Sequence, residues 1–139
     1  ADSDVEGDAS AEPAADADEA RRMLSALAGT TQRVITGVAM LVPQLRDCTG
    51  AGPGRYILSA VTYVTMRRLS DEELEAYIAS GEWEDKAGAY GIQGPADAFV
   101  DEVDGSWSNV VGLPMEMLER LIRRVSAELA AAEDKTGVE

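Results

Sequence analysis

The residue whose type and setting best suit recognition chemistry is Gln93, held between glycines in the run Gly-Ile-Gln-Gly. A carboxamide carries two donors and two acceptor lone pairs, which matches the edge of a flat polar ring. The run sits inside a longer stretch, WEDKAGAYGIQGPADAFVDEVDGSWSNVVGLP, that is too rich in glycine for a helix and too apolar for a linker. Tyr90, Ile92, Phe99 and Val100 call for burial. An ordered glycine loop on a rigid scaffold is a common place for a binding site. The same pattern also suits a packed structural loop with Gln93 turned to water, because glycine clusters mark turns.

Composition removes several kinds of chemistry. The 139 residues contain no histidine, so His metal sites, His general bases and serine–histidine triads are excluded. The formal net charge of −14 leaves no basic face for nucleic acid. Cys48 is the single cysteine, which rules out an internal disulfide and points to a reduced, cytoplasmic setting. No apolar run approaches the length of a membrane span and none has the layout of a signal peptide, so no membrane partner is expected.

The elements that must position the loop follow from pattern. Asp16 with Glu19 has capping-box spacing, Ala20, Met23, Leu24 and Leu27 form one helical stripe, and Gly29 supplies the stop, which predicts a helix over 16–29. The β-branched, nearly continuous apolar run 32–42 predicts a strand covered on both faces. A glycine- and proline-rich loop follows at 46–54, then a second strand over 56–66, and the short link makes the two an antiparallel hairpin. Ser70 and Glu73 box the start of a helix over 70–80 that ends at Gly81. Asp71, Glu72 and Glu73 read as a first-turn acid cluster favoured by the helix dipole, not as metal ligands. A short strand is expected over 98–103 with a turn at Asp104-Gly105, and Pro114 opens a last helix that frays after Ala132.

The run DKAGAYGIQG, followed by FV, GSWSNVVGLP and a terminal helix, resembles the C-terminal half of the Maf family of nucleotide pyrophosphatases, and within it the branch that hydrolyses dTTP and UTP. Upstream, EARRML, RVITGVAML and VTYVTMRRLSDEELEAYIASGE follow the same pattern. The resemblance implies an α/β fold, a mixed sheet with flanking helices of the Maf/ITPase-like kind. It divides the chain into an acidic segment 1–15, the C-terminal two thirds of a Maf-like domain over 16–132, and a tail 133–139. It implies hydrolysis between the α and β phosphates of a nucleoside triphosphate, aided by a divalent metal, Mg or Mn, and a homodimer as an assembly.

By that resemblance the proton acceptor falls on Asp2, its neighbouring specificity position on Ser3, and base reading on Gln93. Lys86, the one cation in the glycine-rich loop, either meets a phosphate as a point charge or pairs with Asp85 or another acid. Ser106 and Asn109 flank the loop and either contact sugar and base or cap turns. Two departures stand out. Glu12 occupies the place of a phosphate-binding lysine, and the family's Ser-Pro-Arg-Arg loop has no counterpart in this sequence. The expectations are therefore an exposed sheet edge or apolar face, self-association, and little pyrophosphatase activity from the chain alone. The competing reading is a catalytically inactive module that binds pyrimidine nucleotides or dimerises.

Overall fold

The computed structural model describes residues 13–136. These form two compact units, one from 13–32 with Tyr63–Asp104, the other from Arg33–Thr62 with 105–136. Helices and strands are interspersed along the chain, an α/β arrangement, and the three strands stand in the order β1-β2-β3. β1 (Thr31–Arg46) and β2 (Pro53–Met66) each contribute residues to both units. They are joined by a loop closed by the Asp47 N–H donating to the Gly52 carbonyl at 3.0 Å. A link this short joins neighbouring strands only as an antiparallel hairpin. β3 (Val100–Asp104) pairs antiparallel with the end of β2, from Tyr63 opposite Asp104 to Met66 opposite Val100, with an irregularity between Thr65 and Met66.

In the first unit, α1 (Ala17–Leu27) starts where sequence places it, with the Asp16 carboxylate accepting from the Glu19 N–H at 2.8 Å. Glu19 reaches past the cap to the Ala15 N–H at 2.7 Å. After the helix, Gly29 takes φ +72° and its N–H donates to the Arg67 carbonyl, which ties the turn to the end of β2. α2 (Asp71–Ser80) has the full capping box, Ser70 accepting from Glu73 N–H and Glu73 accepting from Ser70 N–H. Leu24 and Ala20 of α1, Leu74, Tyr77 and Ile78 of α2, and Met66, Trp83, Ala89, Ala96 and Phe99 form the core of this unit. Tyr77 and Phe99 meet edge to face, centroids 5.3 Å apart, and the Arg67 guanidinium lies 5.5 Å from the Phe99 centroid.

Arg67 also holds Glu73 with two hydrogen bonds of 3.0 Å, so one carboxylate serves both the cap and an ion pair. The Arg67 bond first, and the Ser70 backbone second, hold the Glu73 carboxyl down to about 2. A carboxyl with a depressed folded pKa adds stability above its unfolded value, and loses that stability as pH falls toward the folded value. Melting temperature is therefore expected to fall between roughly pH 5 and pH 2, and the gap between wild type and Glu73→Gln to close over the same window. A gap that stays constant across that window would show that the pair adds nothing to pH-dependent stability.

In the second unit, α3 (Trp107–Val111) is a single turn capped by Ser106, and α4 (Met115–Thr136) is the long helix that Pro114 opens. α4 continues past Ala132, where fraying was expected, through residues that favour or tolerate helix. Val42 of β1 packs with Leu121 and Val125 of α4, joined by Met40, Leu45, Tyr56 and Leu129. The expectation of a β1 strand covered on both faces does not hold among the described residues. Burial alternates along β1, and Ile35 and Leu41 are 57% and 60% exposed. α4 covers one face of the pleat; successive side chains of a strand point to opposite faces, so these residues stand on the other. Ile57 and Val61 of β2 are 65% and 44% exposed.

Candidate functional site

The glycine-rich loop lies wholly in the first unit, between α2 and β3. Its entry is fixed by Gly81, in the left-handed conformation at φ +74°, and by Trp83, buried, whose indole N–H donates to the Ile78 carbonyl at 3.0 Å. The chain then passes two non-glycine residues with positive φ, Asp85 at +59° and Ala89 at +64°. Left-handed backbone is unfavourable for a residue with a Cβ and persists only where the surroundings impose it. Here Ala89 is fully buried, its N–H donates to the Lys86 carbonyl at 3.0 Å, and Ala87 forms a bridge with Pro13. The strained segment thus brackets Lys86.

Tyr90 follows, partly buried, its hydroxyl 3.4 Å from the Gln32 side-chain oxygen; burial pushes its phenol up. Ile92 is buried, while Gln93 next to it is exposed. Gly94 N–H donates to the Gly91 carbonyl at 3.3 Å, and a short 3-10 turn, Pro95–Phe99, carries the chain into β3. The loop is therefore ordered, as its apolar residues require, and it presents the Gln93 carboxamide outward. In the same unit the Tyr77 phenol of α2 is pushed up, first by burial and then by Glu82.

Lys86 is half-buried and has no salt bridge among the described residues. Its stem lies across Gly91: a Cβ added at Gly91 would meet the Lys86 Cε at 2.6 Å and Cδ at 2.8 Å. Sequence reading missed this contact. The signal available was a glycine five residues after the lysine, which by itself reads only as a turn.

Ser106 and Asn109 belong to the second unit. The Ser106 hydroxyl accepts from the Asn109 N–H at 3.1 Å and donates to the Glu116 carboxylate at 2.6 Å, and Ser108 donates to the same carboxylate oxygen at 2.9 Å. Those hydroxyls hold the Glu116 carboxyl below its ordinary value. Asn109 is buried at 1% exposure. Its NH2 faces the Val34 carbonyl at 3.1 Å, the Ala60 carbonyl at 3.4 Å and the Thr62 hydroxyl at 3.0 Å, so it clips α3 to β1 and β2. Its Oδ1 is buried with no partner among the described residues. Both side chains are thus engaged in the turn and the sheet.

Asp2, Ser3 and Glu12 lie outside the described residues. Among the described residues no group of three or more acidic or cysteine side chains is placed to hold a metal ion. Cys48 is exposed in the hairpin loop. No helix among the described residues is long and apolar enough to cross a membrane.

The model of the family described as Maf-like protein matches residues 1–125. A dTTP/UTP pyrophosphatase of Chromobacterium violaceum is 46% identical over 114 residues, covering 82% of this chain and 53% of that protein. One of Anaeromyxobacter dehalogenans is 47% identical over 114 residues, 82% of this chain and 56% of that protein. One of Pyrococcus horikoshii is 45% identical over 108 residues, 77% of this chain and 53% of that protein. The chain spans about half the length of the curated relatives it matches.

Proposed function

The chain belongs to the Maf-like family, and from that premise we propose that it serves hydrolysis of dTTP and UTP to the monophosphate and pyrophosphate. The observation that carries this reading is the ordered loop that presents one ammonium, Lys86, and one exposed carboxamide, Gln93, on a strained and anchored backbone. Water attacks the α-phosphorus, the bond to the bridging oxygen breaks, and pyrophosphate leaves. Lys86 offsets charge on the phosphates as a point cation. Gln93 meets the carbonyl and N–H that uracil and thymine present side by side. Asp2 takes the proton from the attacking water and Ser3 adds to specificity; both roles come from the resemblance. A divalent cation, Mg or Mn, belongs to the proposal as the companion of the nucleotide's phosphates, since the described side chains supply no cluster for it.

The test is release of pyrophosphate from dTTP, UTP, CTP and ATP by the full chain, with Asp2→Ala beside it. Weak release from the first two, in keeping with the absent Ser-Pro-Arg-Arg loop, and lost in Asp2→Ala, is the expected result. Release that ignores the base, or that survives Asp2→Ala, counts against the assignment. A second reading, a dimerising or nucleotide-binding module without turnover, is favoured by the open strand face carrying Ile35, Leu41, Ile57 and Val61. Under it, sedimentation equilibrium shows a dimer and no substrate is turned over.

A further inference from the structure

We propose that Gly91 is a positioning residue for the Lys86 ammonium, a role that rests on the reading of Lys86 as a phosphate contact. The lysine stem crosses the one position in the loop where a Cβ would occupy its path, 2.6 Å from Cε and 2.8 Å from Cδ. A free lysine side chain samples many rotamers, and fixing it costs much of the entropy that a charged contact returns. Here the stem is laid across the backbone at Gly91. That backbone is itself held, through the bond from the Gly94 N–H to the Gly91 carbonyl at 3.3 Å. The lysine's own backbone is held by the bond from its N–H to the Trp83 carbonyl at 3.4 Å and by the bond from the Ala89 N–H to its carbonyl at 3.0 Å. Both ends of the contact are therefore fixed, and what remains to vary is the path of the stem.

Gly91 is not among the glycines with positive φ, so an alanine there is allowed by the backbone. Its Cβ collides only with the flexible end of a side chain, which moves at little cost to the fold. The role of Gly91 is thus to leave room: it lets the ammonium lie where it does, and Gly91→Ala redirects the ammonium without unfolding the loop.

The chain has two lysines, Lys86 and Lys135, so reductive methylation with carbon-13 gives two lysine signals to follow, assigned by Lys86→Arg. Gly91→Ala is expected to move the Lys86 signal of the free protein, leave that of Lys135 in place and keep the melting temperature. It should also weaken dTTP binding by roughly tenfold, the loss of one charged hydrogen bond, with Gly91→Ala/Lys86→Ala no weaker than Lys86→Ala alone. An unmoved Lys86 signal, or additive losses in the double variant, overturns the proposal. If Lys86→Ala leaves dTTP binding unchanged, the phosphate reading fails, while the signal of the free protein still decides whether Gly91 places the side chain. If Gly91→Ala melts early, the double variant decides: recovery supports the stem contact, and no recovery assigns the clash elsewhere and overturns it.

Discussion

Alanine at Gln93 is expected to cut the preference for UTP over CTP by roughly tenfold or more, read as the ratio of their dissociation constants for the full chain. The side chain is exposed at the tip of the loop, so it is available to a ligand and contributes no core packing. Its neighbour Ile92 is buried and Gly94 is bonded back to Gly91, so the backbone on both sides is fixed. Cytosine has an amino group where uracil has a carbonyl. A carboxamide oriented for uracil leaves one polar group unpaired against cytosine, at about 1–3 kcal/mol. Loss of Gln93 removes the discrimination and leaves the fold intact. An unchanged UTP-to-CTP ratio would return Gln93 to the role of a solvated turn residue.

Phe99→Ala is expected to be the most damaging single truncation in the first unit, at about 3–5 kcal/mol. Phe99 is the only phenylalanine of the chain and is 7% exposed. Its ring is the edge-to-face partner of Tyr77 and the surface over which Arg67 lies. Arg67 in turn is the partner of Glu73, so the cavity loosens the ion pair as well as the core. Urea denaturation monitored by tryptophan fluorescence measures the loss, and Trp83 in the same core reports it. A loss below about 1 kcal/mol would mean that the loop and α2 repack into the space, against the usual cost of an aromatic truncation.

The starts and stops of the elements were legible because each is settled within a few residues. Ser70 and Glu73 form the cap they were read as, Asp16 caps α1, and Pro114 precedes α4. The glycine loop was legible as ordered because Tyr90, Ile92 and Phe99 had to find cover, and its run of residues was long enough to carry the family. The covering of β1 was not legible, since a β-branched apolar run reads the same whether one face or two are buried, and only the placement of α4 decides it.

Side-chain roles that depend on distant partners were beyond sequence for the same reason. Asn109 is spaced like a ligand contact, yet its carboxamide donates to Val34, 75 residues away, and to the Thr62 hydroxyl. Nothing near Asn109 in sequence announces strands β1 and β2 as its partners. Lys86 was visible as the cation of the loop, but the path of its stem over Gly91 is a matter of ångströms that only the folded loop sets. Sequence by itself determined the family, the caps and the residue types offered to a nucleotide. The tertiary structure decided which polar side chains are used up inside and which face outward, because burial is set by elements far apart in the chain that folding brings together.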